Sequence, residues 1–192
     1  MSKAERTRQF IIETSAPIIN KKGMAGTSLT DIMEATKLAK GGIYGNFESK
    51  DEICKEAYSY LSSSLAEKLN QAVIEGKTAG EKLDNLLDVY ENKSLSGGCP
   101  ILNFGVEADD THPEIKERVM KSILSAKGRI TNIAQFGIDN NEVSANINPP
   151  IFGTKAFTMI EGAILCRRVM ENDEIMQIII ESIKKEFESY LI

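Results

Sequence analysis

Residues 26–50 read GTSLTDIMEATKLAKGGIYGNFESK, and this stretch predicts two short helices joined by a tight turn. Thr27 or Ser28 supplies the side-chain oxygen that caps the first helix. In the second helix Ile43 and Phe47 lie four residues apart, so both side chains point toward the core. The opposite face carries Lys40, Gly41, Gly42, Tyr44 and Asn46. This is the layout of a helix-turn-helix, whose second helix enters the major groove of DNA.

Apolar side chains recur at helical spacing along most of the remaining chain, most clearly at Ile115, Val119, Ile123, Ala126, Ile130 and Ile133. Turn-forming residues separate about nine helices, predicted near residues 3–22, 29–35, 40–46, 50–75, 79–93, 100–108, 113–137, 151–171 and 173–190. The sequence therefore predicts an all-α fold with two domains. A three-helix DNA-binding domain occupies residues 1–49, and a larger helical domain occupies residues 50–192.

Composition limits the function classes. The 192 residues are 42% hydrophobic and 27% charged, which is typical of a globular protein and excludes a disordered chain. The longest unbroken apolar run is residues 163–166, far short of the roughly 20 residues of a membrane span. No secretory signal is predicted either. We therefore expect a cytoplasmic protein that does not bind membranes.

Charge is distributed unevenly along the chain. The whole chain has a net charge of −5, yet residues 1–50 hold eight Lys or Arg and five Asp or Glu residues. A basic N-terminal part attached to an acidic remainder fits a small polyanion-binding domain joined to a different kind of module.

The chain has few of the cysteine and histidine residues that a hydrolytic active site or a metal site needs. Cys54, Cys99 and Cys166 are far apart and odd in number, so we expect reduced thiols rather than disulfides. His112 is the single histidine, which leaves little for a catalytic triad or a histidine-rich metal site. The sequence predicts no enzyme activity, no metal and no cofactor.

The N-terminal stretch resembles the signature of the TetR family of bacterial transcriptional regulators. The resemblance covers roughly residues 6–60 and includes several fixed spacings at once. It is carried by Arg8, Ile11, Ile12, Gly23, Thr27, Ser28, Leu29, Asp31, Ile32, Lys40, Gly41, Ile43, Tyr44, Phe47 and Lys50.

The resemblance implies a role at the DNA surface for each matching polar position. Phosphate contacts are implied for Thr27, Ser28, Tyr44 and Lys50, the first two at a helix N-terminus. Contacts to base edges are implied for Lys40, Gly41 and Gly42, and Asn46 is placed within reach of a base or a phosphate.

Two positions depart from the family pattern. Ala39 stands where a hydroxyl residue often caps the recognition helix, and Gly42 stands where Ser or Thr commonly offers a side chain to the bases. Both changes motivate an alternative function, an all-helical small-molecule-binding protein or enzyme that has lost DNA reading. Sequence-specific DNA binding separates the two hypotheses.

The last two predicted helices each have one wide apolar face. These faces are either ordinary core or a surface that pairs with a second copy of the chain. The family resemblance implies the second, a four-helix bundle of two subunits whose two-fold axis matches a palindromic operator. The residues predicted at that interface are Phe157, Ile160, Gly162, Ala163, Ile175, Ile179 and Ile183.

The resemblance also implies an effector pocket inside the C-terminal domain. Candidate lining residues, each of which could instead be plain core, are Cys99, Asn103, Phe104, Glu107, Met120, Phe136, Phe152 and Met159. Cys99 has two interpretations. It is either a small buried thiol or a sensor of electrophiles or oxidants whose thiolate is favoured by a helix N-terminus.

Together these features predict a ligand-responsive transcriptional regulator, a repressor, that binds a palindromic operator as a homodimer. A small-molecule effector or thiol modification would release it from DNA. The expected partners are a double-stranded DNA operator, a second copy of the chain and a small molecule.

Overall fold

The computed structural model describes residues 1–92 and 97–192, and within these ranges every regular element is an α-helix. The nine helices of the described residues are α1 (Lys3–Lys22), α2 (Leu29–Thr36), α3 (Lys40–Tyr44), α4 (Lys50–Glu75), α5 (Ala79–Glu91), α6 (Pro100–Ala108), α7 (Pro113–Asp139), α8 (Pro149–Met170) and α9 (Glu174–Glu188). The predicted all-α fold is confirmed. None of these helices combines the length and the apolar character that crossing a membrane requires.

The helix boundaries agree with the sequence prediction to within two residues. The short helix α3 ends at Tyr44 and not at Asn46. The Asn46 N–H donates to the carbonyl three residues earlier, that of Ile43, at 2.9 Å, which is the hydrogen-bond pattern of a 3₁₀ turn and not of an α-helix. Lys93, the predicted last residue of the fifth helix, lies outside the described residues.

The described chain divides into two compact units. The first contains residues 1–64 and 97–120, and the second contains residues 65–92 and 121–192. The long helices α4 and α7 each contribute residues to both units. This division reflects packing, and the functional division after residue 49 stays a prediction.

In the first unit α1 packs against α2 and α6, and α2 packs against α3. A capping box between Ser2 and Glu5 starts α1, and Pro17 lies inside this helix. The side chains that form the centre of this unit are fully buried: Ile11, Ala16, Ile19, Ile32, Ile43, Ile53 and Ala57. The helix-turn-helix therefore has an apolar support behind it.

Arg8 joins α1 to the end of the helix-turn-helix. Its guanidinium donates to the Asn46 carbonyl at 2.6 Å and to the Glu52 carboxylate at 2.7 Å, and it lies 4.2 Å from the centre of the Phe47 ring. The Glu48 N–H and Arg8 hold the pKa of Glu52 below its usual range. Arg8 therefore holds the segment that follows α3 against α1 and α4.

In the second unit α9 packs against α8 and α5. The rings of Phe152 and Phe187 lie 5.4 Å apart between their centres. Lys184 pairs with Asp84 at 3.1 Å, which links α9 to α5 at the surface. The apolar faces of α8 and α9 thus have partners inside the same chain.

Candidate nucleic-acid interface

The N-terminus of α2 is capped by Ser28, which decides between the two predicted caps. The Asp31 N–H donates to the Ser28 hydroxyl at 3.1 Å, and the Ser28 N–H and hydroxyl each donate to the Asp31 carboxylate at 2.8 Å. Lys22 donates to the other Asp31 oxygen at 2.5 Å. Lys22 and Ser28 hold the pKa of Asp31 well below its usual range. The chain itself therefore orders the start of α2.

Thr27 has an internal role that corrects its predicted phosphate contact, and Lys50 has an internal role besides the phosphate contact that was predicted for it. Thr27 is fully buried and its hydroxyl donates to the Gly23 carbonyl at 2.7 Å, so its side chain cannot reach a phosphate. Lys50 donates from Nζ to the carbonyls of Met24, at 2.8 Å, and Thr27, at 3.0 Å. Both carbonyls lie in the turn between α1 and α2, outside the helical ladder. Two of the three ammonium donors of Lys50 thus hold this turn.

The outer face of α3 presents the residues that the sequence placed toward DNA. Lys40, Gly41, Gly42 and Tyr44 are exposed, whereas Ile43 is fully buried. The Lys40 ammonium lies 5.8 Å from the centre of the Tyr44 ring. The structure therefore brings these four predicted residues together on one accessible surface.

The two ends of α3 differ in how side chains cap them. Ala39 precedes the helix and makes no side-chain cap bond, as the sequence predicts. Asn46 is half-buried, and its Nδ2 donates to the Gly42 carbonyl at 2.8 Å. The Asn46 amide therefore stabilises the end of α3.

The first 50 residues carry eight Lys or Arg side chains. Arg8 and Lys22 form ion pairs, and Lys50 is held by backbone carbonyls. Within the described part of the chain the other five form no ion pair: Lys3, Arg6, Lys21, Lys37 and Lys40. Residues 1–50 therefore carry an excess of positive charge, eight Lys or Arg against five Asp or Glu, which favours binding to a polyanion.

Lys37 is a residue to which the sequence reasoning gave no role. It ends α2 with φ +58° and ψ +22°, in the left-handed region, and its side chain is exposed. A lysine at the C-terminal end of a helix pattern, where glycine is usual, is the sequence signal that could have singled it out.

Two of the predicted effector residues hold parts of the first unit together. Phe104 is buried, and the centre of its ring lies 5.2 Å from that of Tyr58. Asn103 donates from Nδ2 to the Asn20 side chain at 3.0 Å and to the Gly97 carbonyl at 2.7 Å. Both side chains therefore connect α6 to its neighbours.

Three further effector candidates of the first unit lie in different environments. Glu107 accepts hydrogen bonds from the Met24 N–H at 2.6 Å and from the Ala25 N–H at 3.2 Å. Cys99 is fully buried, and Met120 is 52% exposed. The exposed Met120 side chain does not line an interior pocket, and a role in ligand binding stays a prediction for Cys99 and Glu107.

The effector candidates of the second unit have partners there. Phe152 is buried against Phe187, and the Lys82 ammonium lies 4.9 Å from the centre of the Phe136 ring. Met159 is half-buried in α8. A role in ligand binding stays a prediction for these residues.

The structure corrects the predicted subunit interface at four positions. Four of the predicted interface side chains are at most 5% exposed, because α8 and α9 pack within the same chain and cover them. They are Phe157, Ile160, Ala163 and Ile183. These side chains have no surface left for a second copy. Gly162 is exposed, and Ile175 and Ile179 are half-buried. The apolar side chains that α8 leaves exposed are Ile151, Leu165, Val169 and Met170.

A groove of about 230 Å³ lies in the first unit, at the start of α4 and the turn between α6 and α7. Its lining consists of Asp51, Lys55, Thr111, His112, Pro113, Glu114 and Ile115. Lys55 and Glu114 form an ion pair at 2.6 Å in this groove, and the pair lowers the pKa of Glu114. None of the predicted effector residues lines it. Across residues 1–92 and 97–192 no three His, Cys, Asp or Glu side chains gather to hold a metal ion.

A short helix with one face buried against a helical support and the other face basic and exposed is the recognition element of a helix-turn-helix DNA-binding regulator. The family model described as bacterial regulatory proteins, tetR family, matches residues 11–57. The model of the tetracyclin repressor-like C-terminal domain matches residues 80–183. The chain therefore belongs to the TetR family of transcriptional regulators, which bind DNA and are not enzymes.

Solved structures and a curated relative agree with this assignment. A TetR-family transcriptional regulator from Cytophaga hutchinsonii is 36% identical with a TM-score of 0.94, and the match covers 100% of this chain and 98% of that one. A TetR transcriptional regulator from Chloroflexus aurantiacus is 30% identical with a TM-score of 0.92, over 100% and 98% of the two chains. The HTH-type transcriptional regulator Rv0196 of Mycobacterium tuberculosis is 28% identical over 171 residues, 84% of each chain. The predicted family and regulatory class are confirmed.

Proposed function

We propose that the protein is a homodimeric repressor that binds a palindromic DNA operator and is released by a small molecule or by thiol modification. The observation that supports this most directly is the exposed face of α3 with Lys40 at its start, which Ile43 and Phe47 anchor from behind with at most 2% exposure. A recognition helix must be held rigidly while its outer face stays accessible. Residues 1–49 would read DNA, and the rest of the chain would bind the effector and the second subunit.

The base contacts are proposed for the first turn of α3. Lys40 is the first residue of the helix and is exposed, so its ammonium can donate to acceptors on base edges. A Cβ added at Gly41 would meet no atom of the chain within 4 Å, so this side of α3 is open to a close approach. Gly41 and Gly42 would let the backbone approach the floor of the groove.

The phosphate contacts are proposed for Tyr44 and for the start of α2. Tyr44 is 40% exposed, and its hydroxyl can donate to a phosphate beside the groove. Ser28 is exposed at the N-terminus of α2, and its N–H and hydroxyl would have to leave the Asp31 carboxylate to donate to a phosphate there. Thr27 would act indirectly, by holding the turn from which α2 starts, and Lys50 would hold that turn and also offer its remaining donor to a phosphate.

A two-fold dimer would place two DNA-binding domains, here called reading heads, on one operator, roughly 34–36 Å apart. Leu165 and Val169 in α8 are 47% and 74% exposed, and both are apolar. A Cβ added at the exposed Gly162 would meet no atom of its own chain within 4 Å, so a partner helix could approach closely there. Covering these side chains with a second copy would remove apolar surface from water.

The release step is proposed to act through α4. This helix begins at Lys50, whose ammonium holds the turn before α2, and it continues without interruption to Glu75. An effector that displaces α4 would therefore change the spacing of the two reading heads. Cys99 is buried, so a thiol reagent would have to reach it through local opening of the chain.

Selection of duplexes from a random DNA pool by the purified protein tests the proposal. We expect enrichment of a two-fold symmetric site, bound with an affinity that falls steeply as salt rises. Lys40→Ala should weaken binding to that site by about 1–3 kcal/mol and relax its sequence preference. Lys68→Ala, which removes an exposed lysine of α4, is the matched control and should leave both unchanged.

Failure to enrich any site, with only weak and salt-sensitive binding, would contradict the proposal. It would favour the alternative, a small-molecule-binding protein or enzyme that has lost DNA reading. That alternative is motivated by Ala39, which makes no cap bond, and by Gly42, which offers no side chain to the bases.

A further inference from the structure

Lys37 occupies a backbone conformation that lysine seldom adopts. It is the C-cap of α2 with φ +58° and ψ +22°, and it begins the turn that leads to Lys40 at the start of α3. A glycine would take this left-handed conformation without a steric penalty, whereas a lysine Cβ approaches the carbonyl oxygen. The left-handed conformation of Lys37 therefore costs the fold some stability.

Such local strain is a recurring property of functional positions. Two other residues besides glycine have a positive φ among the described residues, Asn141 and Glu171. Asparagine tolerates the left-handed region because its short side chain can hydrogen-bond locally. Lys37 is the one of the three that lies in the helix-turn-helix.

The Lys37 ammonium is available to an external anion. Within the described residues Lys37 forms no ion pair, and its side chain is exposed. Lys22, by contrast, is held by Asp31 at 2.5 Å. The turn that Lys37 begins is followed directly by α3, the helix whose N-terminal residues are placed in the major groove. With α3 in the groove, this turn would lie beside the phosphates that border the groove.

We propose that Lys37 is a further phosphate-binding residue of the DNA interface. This inference rests on the proposed function, since it needs α3 in the groove. A phosphate contact adds affinity and carries no sequence information. Lys37 would therefore raise the affinity for operator and non-operator duplexes alike.

Three variants test this role against the operator that the selection yields. Lys37→Gly should raise the melting temperature, because it relieves the left-handed strain, and should weaken operator binding about five- to tenfold at ~0.1 M salt. The slope of log K against log salt should become less steep by about 1. Lys37→Gln keeps the strained backbone and removes the charge, so it should show the same loss of affinity and slope without the gain in melting temperature.

Glu171→Gly is the matched control for the backbone. Glu171 is the exposed C-cap of α8 with φ +51°, so its replacement by glycine relieves the same kind of strain. It should raise the melting temperature and leave DNA affinity and the salt slope unchanged.

An unchanged salt slope in both Lys37 variants would overturn the proposal. A purely structural role, in which the cation only interacts with the C-terminal dipole of α2, would appear as a lower melting temperature for Lys37→Gln with an unaltered slope. If the unmodified protein itself shows no salt-dependent binding to any duplex, the proposed function fails first, and the role of Lys37 fails with it.

Discussion

The carboxylate of Glu107 accepts a hydrogen bond from the backbone N–H of Met24, with 2.6 Å between Oε2 and the nitrogen. The same oxygen accepts from the Ala25 N–H at 3.2 Å. Glu107, a residue of α6, thus holds the turn between α1 and α2. The Lys50 ammonium donates to two backbone carbonyls of the same turn. Two N–H groups and two carbonyls of this turn are therefore satisfied by side chains distant in sequence.

Replacing Glu107 should loosen this turn. We expect Glu107→Ala to lower the free energy of unfolding by about 1–3 kcal/mol, since it leaves two N–H groups without their charged acceptor. Urea unfolding followed by circular dichroism measures the change. Glu188→Ala, at an exposed position at the end of α9, is the control and should cost little. Equal effects of the two substitutions would contradict a structural role for Glu107.

Gly23 should not tolerate a side chain. Its φ is +84°, and an added Cβ would collide with Oε1 of Glu107. Gly23→Ala should therefore destabilise the protein by about 2 kcal/mol or more. Gly128→Ala in α7 meets no atom within 4 Å and should stabilise by up to about 1 kcal/mol. Thermal unfolding of both variants checks the opposite signs, and a stabilised Gly23→Ala protein would disprove the argument.

The contribution of Asp31 to stability should depend on pH. Lys22 and Ser28 hold its pKa below the usual range in the folded protein, so the ionised carboxylate stabilises the fold at pH values above its unfolded pKa, about 3.9. That stability is lost as the pH falls through the folded pKa. Asp31→Asn should therefore be less stable than the parent at pH 7, and the difference should shrink below about pH 4.

A series of urea unfolding curves between pH 7 and pH 2.5 measures this difference. Asp110→Asn, an exposed residue of the turn before α7, serves as the control. A constant difference between Asp31→Asn and the parent across this range would show that the carboxylate charge is not what stabilises the start of α2.

The thiols of Cys54 and Cys99 should be protected in the folded protein. Both are at most 1% exposed, and burial raises the pKa of Cys54 to about 11. Alkylation monitored by mass spectrometry should be at least about tenfold slower at these residues in the folded than in the urea-unfolded chain. Rapid modification of Cys99 in the folded protein, together with loss of DNA binding that Cys99→Ser abolishes, would instead establish it as a sensor.

A charge on the exposed face of α8 should prevent dimer formation. Val169 is 74% exposed, so Val169→Glu should leave the subunit folded and shift the mass measured by light scattering from dimer to monomer. Val106→Glu in α6 is the matched control, because Val106 is 76% exposed and lies on another helix. A dimer that survives Val169→Glu would place the interface elsewhere.

The elements of the helix-turn-helix could be predicted because they depend on residues close together in the chain. Ser28 and Asp31 form their capping box across three residues, and Ile43 and Phe47 share a face because they are four residues apart. The open face of α3 follows from the same periodicity. Local capping and helical spacing therefore determined the fold class and the recognition helix, whereas the family was indicated by the resemblance of residues 6–60 to a known signature.

Only the tertiary structure decided how the other polar and apolar groups are used. Thr27 is buried and Lys50 turns back to carbonyls of the turn before α2, although their positions in the sequence suit phosphate contacts equally well. Ile160 and Ile183 lie on apolar faces that a second subunit could have covered, and α8 and α9 of the same chain cover them instead. The physical reason is that periodicity defines which side of a helix is apolar, whereas long-range packing decides what covers that side.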